Sequence, residues 1–295
     1  MKCIDSLNLL DHTIMKKFKN ILIIGLGMMG GSLCKSIKKN NVSEKISGYD
    51  VDVDTLEYAK NNKIIDFIVK DYDMMPHPDL IILCTPIGSY KEIIKNLVTC
   101  ISKKTLLSDI GSSKGKSHTE IHKILRNTNL NYISSHPMVG SEKAGIGNYI
   151  NDMYEDKPVF IIDKNKSSKG SYLLLKKFWK SLGSTPYDID YKKHDLLMSQ
   201  TSHIAHLMAF IFVQSLPQSI ITKNLPILLG GGIKEHIRLS KSDPKMWTDI
   251  FINNKVNITK ALDRIQKNTS GAKKLINSIN EKSLYKYLKS IQNKT

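Results

Sequence analysis

A glycine-rich turn between two short apolar strands constrains this chain more than any other stretch. Ile21–Ile24 has the composition of a buried strand and leads into Gly25-x-Gly27-x-x-Gly30, where a helix-like segment begins. A second strand, Ile46–Tyr49, is followed by Asp50, 20 residues after the last glycine. A G-x-G-x-x-G pattern in this context indicates the first βαβ unit of a dinucleotide-binding fold.

Each glycine of the turn has its own predicted role. Gly25 permits the tight turn, Gly27 lets the backbone approach a pyrophosphate, and Gly30 lets the helix lie close to the strand. The helix begins at Met28 and Met29, whose backbone N–H groups are available to phosphate oxygens. We therefore predict that these five residues bind the cofactor.

Asp50 favours NAD over NADP. A carboxylate at the end of the second strand accepts a hydrogen bond from a ribose 2′-OH and repels a 2′-phosphate. Residues 51–54 add two more acids and no arginine. We therefore predict NAD as the cofactor, with NADP the less favoured alternative.

The basic composition does not by itself indicate nucleic acid binding. The 295 residues carry a net charge of +17, but the lysines are scattered along the chain and form no recognisable nucleic-acid-binding motif. Only three of the 44 basic residues are arginines, so an arginine such as Arg238 marks a place where a planar, two-pronged cation is needed. We expect no specific nucleic acid partner, and we expect the positive field to favour small anions.

Cysteine usage and the first residues bear on location. Cys3, Cys34, Cys84 and Cys100 show no C-x-x-C spacing, which predicts free thiols in a reducing compartment. Residues 1–20 lack a signal-peptide pattern and are interpreted as an N-terminal extension. We expect that no apolar run approaches the length of a membrane helix. We expect a cytoplasmic protein.

Strand and helix signals then alternate through residue 189, which predicts an α/β fold with a mostly parallel, doubly wound sheet. After the opening unit the predicted strands are 67–69, 80–84, 105–108, 132–134, 158–162 and 185–189, and the predicted helices are 54–63, 90–101, 116–127 and 171–182.

The pattern becomes helical from about residue 194. The predicted helices are 194–216, 223–238, 244–267 and 273–291. We therefore predict a Rossmann-type dinucleotide-binding domain over 21–190, followed by an all-helical domain over 191–295.

Polar groups follow three of the predicted strands. In open α/β sheets, ligands bind beyond the carboxyl ends of the strands. Thr85, Pro86 and Gly111 stand at such ends and are predicted to contact the cofactor, and Ser112 follows directly. His136 ends another strand. A single histidine at a strand end is more often structural than catalytic, so chemistry alone leaves its role open.

The helical region adds two histidines and an arginine. His203 and His206 are three residues apart and so share one helix face. The two histidines could instead bind a metal, but no third ligand accompanies them in the sequence, so we predict no metal site. Arg238 and Trp247 lie in the same segment. A plain helix–helix junction would explain the tryptophan well and the arginine less well.

Five motifs occur in one order: GLGMMGGS, DIGSSKG, HPMVGSEKAG, SHIAH and IRLSKSDPKMWTDI. Together they resemble the prephenate dehydrogenase family, which includes arogenate and cyclohexadienyl dehydrogenases, over about residues 21–250. The resemblance implies an NAD(P)-dependent oxidative decarboxylation in tyrosine biosynthesis, and it implies a homodimer formed by the helical domain.

The resemblance also implies roles for individual residues. His136 is similar to the family's catalytic histidine, and Ser112 to its partner at the ring hydroxyl of the substrate. His206 is similar to the second active-site histidine, and Arg238 to the arginine that binds a substrate carboxylate.

Four further residues match the family's polar surroundings of the substrate. Ser141 and Glu142 fall on the substrate-side loop, while Lys234 and Glu235 fall beside Arg238. Prephenate carries two carboxylates and a C4 hydroxyl, so a neutral His136 would accept the hydroxyl proton as C4 loses a hydride. Loss of carbon dioxide then makes the ring aromatic.

Three other functions are alternatives to prephenate dehydrogenation. Arogenate dehydrogenase is the nearest, and no residue decides between the two substrates. A β-hydroxyacid dehydrogenase combines the same two kinds of domain but uses a catalytic lysine in the helical region, and it leaves HPMVG and SDPKMW unexplained. A basic NAD-binding or nucleic-acid-binding protein without turnover would not need Ser112, His136, His206 and Arg238 together.

Overall fold

The structure is a computed structural model that describes residues 17–162, 168–217 and 230–294. The chain divides into two compact units. The first contains the residues up to Gly111 and from Glu120 to Asp190, and the second contains Ser112–Thr119 and Tyr191–Thr295. Ser112–Thr119 lies inside the stretch predicted as the first domain, yet it belongs to the second unit.

The first unit is built on a six-stranded parallel sheet, as predicted. Its strands are β1 (Ile21–Ile24), β2 (Ile46–Tyr49), β3 (Phe67–Ile68), β4 (Leu80–Leu83), β5 (Leu106–Asp109) and β6 (Asn131–Tyr132). The spatial order is β3-β2-β1-β4-β5-β6. The order reverses between β1 and β4, and this switch point is where such sheets bind dinucleotides.

The central strands are hydrophobic at every position because both faces of the sheet are buried. Every residue of β1 and β4 is buried, because helices cover both faces of a parallel sheet. The helices of this unit are α1 (Met28–Lys39), α2 (Val53–Asn61), α3 (Tyr90–Cys100), most of α4 (Gly115–Leu125) and α5 (Lys169–Ser181). Phe18 also belongs to the core, with its ring edge against Phe178, so the fold begins before residue 21.

A second, three-stranded sheet completes the first unit. It contains β7 (Ser134–Pro137), β8 (Pro158–Ile162) and β9 (Thr185–Ile189). The single strand predicted over 132–134 is therefore wrong: β6 and β7 belong to different sheets. Ile133 still donates a backbone hydrogen bond to Leu107 on β5, and the antiparallel pairing with β8 begins at the next residue.

The second unit is helical over its described residues, as predicted. Its helices are α6 (Tyr191–Met198), a π-helical turn (Ser199–His203), α7 (Ile204–Ser215), α8 (Gly231–Ser240), α9 (Pro244–Asn253), α10 (Lys255–Asn277) and α11 (Glu281–Gln292). The first part of the helix predicted over 223–238 lies outside the described residues.

Two predicted helix boundaries in this unit are wrong. The helix predicted over 244–267 breaks at Asn254, whose side chain makes hydrogen bonds to distant residues. The predicted break near 268–272 does not exist, because α10 continues through Gly271 to Asn277. The chain turns instead before Asn280, which caps α11 by accepting a hydrogen bond from the Ser283 N–H.

The stretch Tyr191–Ser215 contains an 18-residue window with a mean hydropathy of 1.4, so by length and composition it is long and apolar enough to cross a membrane. It is the one such helix in the part of the chain that the structure describes. The prediction that no run reaches this length is therefore wrong. Core and interface helices of soluble proteins meet the same criteria, so the finding assigns no membrane role.

Candidate functional site

The glycine turn after β1 is required by the fold at two of its three glycines. Gly25 has φ +94°, and a Cβ there would lie 2.7 Å from Cγ2 of Thr85. A Cβ on Gly30 would lie 1.9 Å from the carbonyl oxygen of Gly25. The turn therefore packs helix α1 directly against the end of β1, and it brings Thr85 to the same place.

Gly27 differs, because a Cβ added there meets no atom of the described residues within 4 Å. The N-terminus of α1 also has no side-chain cap among those residues. Open space beside uncapped backbone N–H groups is what a pyrophosphate needs. The protein's own packing does not require glycine at this position, whereas a ligand approaching the backbone would.

Asp50 lies beside this turn. Its Oδ2 accepts a hydrogen bond from the Leu26 N–H at 2.7 Å, and its Oδ1 accepts one from the Asp52 N–H at 3.0 Å. A carboxylate has about four lone-pair sites, so two stay available for ribose hydroxyls. The turn and Asp50 together fit a dinucleotide.

The other residues predicted to bind the cofactor occupy varied environments. The Met28 side chain packs in the hydrophobic core, and the Met29 carbonyl accepts a hydrogen bond from Tyr154 Oη at 2.9 Å. Thr85 Oγ1 accepts a hydrogen bond from Ser89 Oγ at 2.8 Å, and Pro86 is exposed. Both methionines are therefore available to a ligand mainly through their backbone N–H groups.

A buried carboxylate, Asp109, organises the end of β5. Its Oδ2 accepts hydrogen bonds from Tyr132 Oη at 2.6 Å and Ser134 Oγ at 2.5 Å, and its Oδ1 accepts one from the Gly111 N–H at 2.8 Å. These bonds hold the start of β7 against β5. His136 lies two residues further along β7, buried and paired with Phe160 of β8.

The loop after β7 carries two of the predicted substrate-side residues. Ser141 Oγ accepts a hydrogen bond from the Lys143 N–H at 3.2 Å, and Glu142 is exposed. Both belong, with His136, to the first compact unit.

Ser112 belongs to the second unit, where a buried acid holds the residues that follow it. The Asp195 carboxylate accepts hydrogen bonds from the Lys114 N–H at 2.9 Å and the Gly115 N–H at 2.6 Å. These N–H groups form the start of α4, so Asp195 acts as its N-terminal cap from a distant helix. Asn253 adds a bond from its Nδ2 to Ser113 Oγ at 2.9 Å.

His203 contacts the backbone of Ser112 directly. Its ring is fully buried, with Nε2 lying 3.2 Å from the Ser112 carbonyl oxygen and Nδ1 lying 3.2 Å from Nδ2 of Asn254. The pKa of His203 is lowered to about 4, mainly by burial and with smaller contributions from His194 and His206, while Asp195 and the hydrogen bond to Ser112 act in the opposite direction. His203 is therefore neutral near pH 7.

His206 is half-buried and stacks on Trp247, with ring centroids 3.9 Å apart. Its Nδ1 lies 3.2 Å from the Ser202 carbonyl oxygen. Burial lowers the pKa of His206, and so does the positive charge of Arg238. Trp247 is therefore buried as part of the same cluster as His206, and it is more than a junction between helices.

Arg238 lies on α8 and presents its guanidinium as a fork. Nε and Nη2 donate to the two carboxylate oxygens of Glu235 at 3.0 and 2.7 Å. Both side chains are about half exposed, and the arginine lowers the pKa of Glu235 through these hydrogen bonds. Lys234, the preceding residue, is exposed. The fork is thus shaped to hold a carboxylate at two points.

The predicted residues therefore fall into two sets. The second unit contains Ser112, His206, Lys234, Glu235 and Arg238, and the first unit contains all the other predicted site residues. Among the described residues no group of three or more His, Cys, Asp or Glu side chains is placed to hold a metal.

Sequence analysis assigned no role to Asp109, Asp195, His203 or Asn254. Asp109 and His203 stand inside motifs that were recognised, next to residues that were singled out. Asp195 and Asn254 carry no local signal, because their partners are 80 and 51 residues away. Pairings at such separations leave no spacing pattern in one sequence.

Fold and site together define a class. A six-stranded parallel sheet with a glycine turn at its switch point, followed by a helical unit, is the architecture of a dinucleotide-binding protein with a second, helical domain. Family models agree: residues 33–187 match the prephenate dehydrogenase nucleotide-binding domain, and residues 190–290 match the prephenate dehydrogenase dimerization domain. The chain belongs to the prephenate dehydrogenase family.

Individual relatives extend over most of the chain. It is 30% identical to prephenate dehydrogenase of Lactococcus lactis over 80% of its length, and 26% identical to that of Bacillus subtilis over 92%. These matches span 65% and 73% of the two relatives. The crystal structure of Aquifex aeolicus prephenate dehydrogenase with hydroxyphenyl propionate and NAD+ is 32% identical, with a TM-score of 0.85 covering 95% of this chain and 98% of that one.

We predict that Gly27→Ala weakens dinucleotide binding without unfolding the protein. Its Cβ enters open space beside the helix N-terminus, so it meets a bound pyrophosphate and no described protein atom. Titration of NAD should give a Kd raised by roughly tenfold or more, about 1.4 kcal/mol. The matched variant Gly30→Ala should instead lower the melting temperature sharply. Equal NAD affinity in Gly27→Ala and the wild type would contradict this use of the turn.

We predict that His203 makes stability depend on pH. Because its pKa is lowered from 6.5 to about 4, the unfolded chain takes up its proton first as the pH falls. This contribution to the free energy of unfolding is complete above pH 6.5 and decreases by about 3 kcal/mol down to about pH 4. Urea unfolding of the wild type and His203→Gln at several pH values isolates it, since the other groups cancel. A pH-independent difference would refute the prediction.

Proposed function

We propose that this protein is an NAD-dependent prephenate dehydrogenase that forms 4-hydroxyphenylpyruvate in tyrosine biosynthesis. The observation that carries the proposal is the Arg238 fork, which binds a carboxylate through two parallel hydrogen bonds. Prephenate has two carboxylates to offer. Bidentate, charge-assisted pairs of this kind combine strength with fixed orientation.

Asp50 supports NAD as the cofactor. Its carboxylate stands at the end of β2 beside the glycine turn, where a ribose 2′-OH is welcome and a 2′-phosphate is repelled. Gly27 and the N-terminus of α1 would hold the pyrophosphate. When bound, the nicotinamide supplies the hydride acceptor for the oxidation.

His136 is the proposed general base. A neutral imidazole accepts the proton of the C4 hydroxyl while the carbon loses its hydride, and Ser112 orients that oxygen by a hydrogen bond. The Asp109 hydrogen bonds to Tyr132 and Ser134 support the strand that carries His136, so its backbone is fixed before substrate arrives.

The remaining residues are proposed to surround the substrate. Arg238 holds one carboxylate, which exchanges with that of Glu235 at low cost because an exposed ion pair contributes little. His206 offers a neutral imidazole, while Ser141, Glu142 and Lys234 provide polar contacts. Arogenate, with an amino group in place of the keto group, remains the alternative substrate.

We also propose a homodimer formed by the second unit. The match to a dimerization domain supports it. So do large apolar side chains that are exposed on or next to α10 and α11: Ile276, Ile279, Tyr285, Leu288 and Ile291. A cytoplasmic location is proposed as well, supported by the free thiols of Cys34, Cys84 and Cys100.

The direct test is NADH formation from NAD with prephenate or arogenate, repeated with NADP. Turnover of prephenate with NAD supports the proposal. Turnover of arogenate alone would replace the substrate within the same family. A folded protein that binds NAD and turns over neither substrate would contradict the proposed activity.

We predict that His136→Asn lowers kcat by roughly 10²–10⁴-fold with little change in KM, the usual contribution of a general base. Steady-state kinetics with prephenate measures this, and NAD titration confirms that the variant folds. The exposed His77 provides the matched control, since His77→Asn removes a histidine away from the site. A near-normal kcat in His136→Asn would exclude the role.

We predict that Arg238→Lys mainly raises KM for prephenate, by roughly 10–100-fold, because lysine cannot form two parallel bonds to one carboxylate. The exposed Arg264 on α10 gives a matched substitution, and Arg264→Lys should leave KM unchanged. An unaltered KM in Arg238→Lys would indicate a packing role instead.

A further inference from the structure

We propose that His203 is a positioning residue for Ser112, acting by donating a hydrogen bond from Nε2–H to the Ser112 main-chain carbonyl. The inference rests on the proposed function, since it takes Ser112 to orient the substrate hydroxyl. His203 itself is fully buried and spends both ring nitrogens on protein groups, so it acts through Ser112 rather than on the substrate.

The neighbours of His203 fix which nitrogen carries the proton. Asn254 Nδ2 lies 2.8 Å from the Asp195 carbonyl oxygen, which can only accept, so this atom is the amide nitrogen. The same amide nitrogen faces His203 Nδ1, which must therefore accept. A neutral ring then bears its hydrogen on Nε2, and that hydrogen points at the Ser112 carbonyl. Only this neutral tautomer of His203 matches both of its hydrogen-bond partners, Asn254 and Ser112.

Neighbouring residues hold both Asn254 and the His203 ring rigidly in place. Asn254 Oδ1 accepts a hydrogen bond from Asn257 Nδ2 at 2.8 Å, so all its polar hydrogens and its oxygen have partners. The edge-to-face contact with Trp247, at 6.2 Å between centroids, limits tilting of the His203 ring. The low pKa of His203 keeps the ring in this neutral form near pH 7.

The residues that follow Ser112 are anchored separately. Asp195 binds the N–H groups of Lys114 and Gly115, and Asn253 binds Ser113 Oγ. Those bonds place the start of α4. They leave the peptide plane of Ser112 to be set by His203, and rotation of that plane would displace the Ser112 hydroxyl. Displacements of about 1 Å at a reacting group can cost 10²-fold in rate.

Two substitutions separate the two ring nitrogens. In His203→Gln, the amide nitrogen takes the place of Nε2 and keeps the donor to Ser112. In His203→Asn, the amide oxygen takes the place of Nδ1, so it keeps the acceptor for Asn254 and loses the donor. If His203 merely filled space, His203→Asn and His203→Gln would lose or keep activity together, just as they would lose or keep stability together.

The experiment compares kcat, KM, NAD affinity and melting temperature for the wild type, both variants, Ser112→Ala, and Ser112→Ala combined with His203→Asn. We expect His203→Asn to lower kcat roughly 10–100-fold while KM and NAD affinity hold, and His203→Gln to restore most of the rate. In the Ser112→Ala background, His203→Asn should lower kcat little further, since both changes remove one function.

The outcomes are distinct. A silent wild type overturns the proposed function itself. An active wild type with normal kcat in His203→Asn overturns the positioning role, and so does a folded His203→Gln that is as slow as His203→Asn. Should both variants unfold, nitrogen-15 NMR of histidine-labelled wild type decides: an Nε2–H tautomer at His203 supports the role, and an Nδ1–H tautomer or a doubly protonated ring overturns it.

Discussion

The second unit depends on the two hydrogen bonds that the Asp195 carboxylate accepts from the start of α4. A carboxylate that is almost completely buried is tolerated only when its oxygens are satisfied, and a buried helix start needs acceptors for its N–H groups. The carboxylate and the N–H groups at the start of α4 therefore satisfy each other. A further hydrogen bond joins Asp195 to Nδ1 of His194. Removing the carboxylate would take this acceptor from the N–H groups of Lys114 and Gly115, at about 1–3 kcal/mol each. The contact therefore fixes Lys114 and Gly115 at the start of α4, two and three residues after Ser112.

Asp109 plays a comparable part in the first unit. It too is a buried carboxylate, and it joins the end of β5 to the hydroxyl groups of Tyr132 and Ser134. The chain leaves the parallel sheet at this point and enters the small sheet that carries His136. Since hydroxyl donors to a carboxylate make strong, short hydrogen bonds, the change of sheet is fixed rather than adaptable. In each unit, then, a residue proposed to act on substrate lies within a few residues of a segment that a buried acid holds in place.

Sequence predicted what is encoded within a few residues. The glycine turn, the strands Ile46–Tyr49 and Pro158–Ile162, and Asp50 were all placed correctly, because their signals are local periodicity and turn chemistry. The failures came where distant groups decide. Asn254 interrupts a continuous helical pattern, and its side chain makes hydrogen bonds to His203 and Asp195. The strand predicted over 132–134 divides because Tyr132 pairs with β5 and Ser134 with β8. The break predicted between residues 267 and 273 does not occur, since an exposed glycine such as Gly271 costs a long helix only about 1 kcal/mol.

The two histidines of the SHIAH motif show how partners, rather than residue type, decide chemistry. Asn254 donates to Nδ1 of His203, which leaves the hydrogen on Nε2. At His206 the Ser202 carbonyl oxygen faces Nδ1, so a neutral ring carries its hydrogen there and keeps a lone pair on Nε2. The pKa of His206 is lowered by burial and by Arg238, which favours this neutral form. A lone pair repels a carboxylate and accepts from a hydroxyl or ammonium group. In the proposed function Arg238 takes the anionic end of the substrate, and His206 is suited to a group that donates a hydrogen bond.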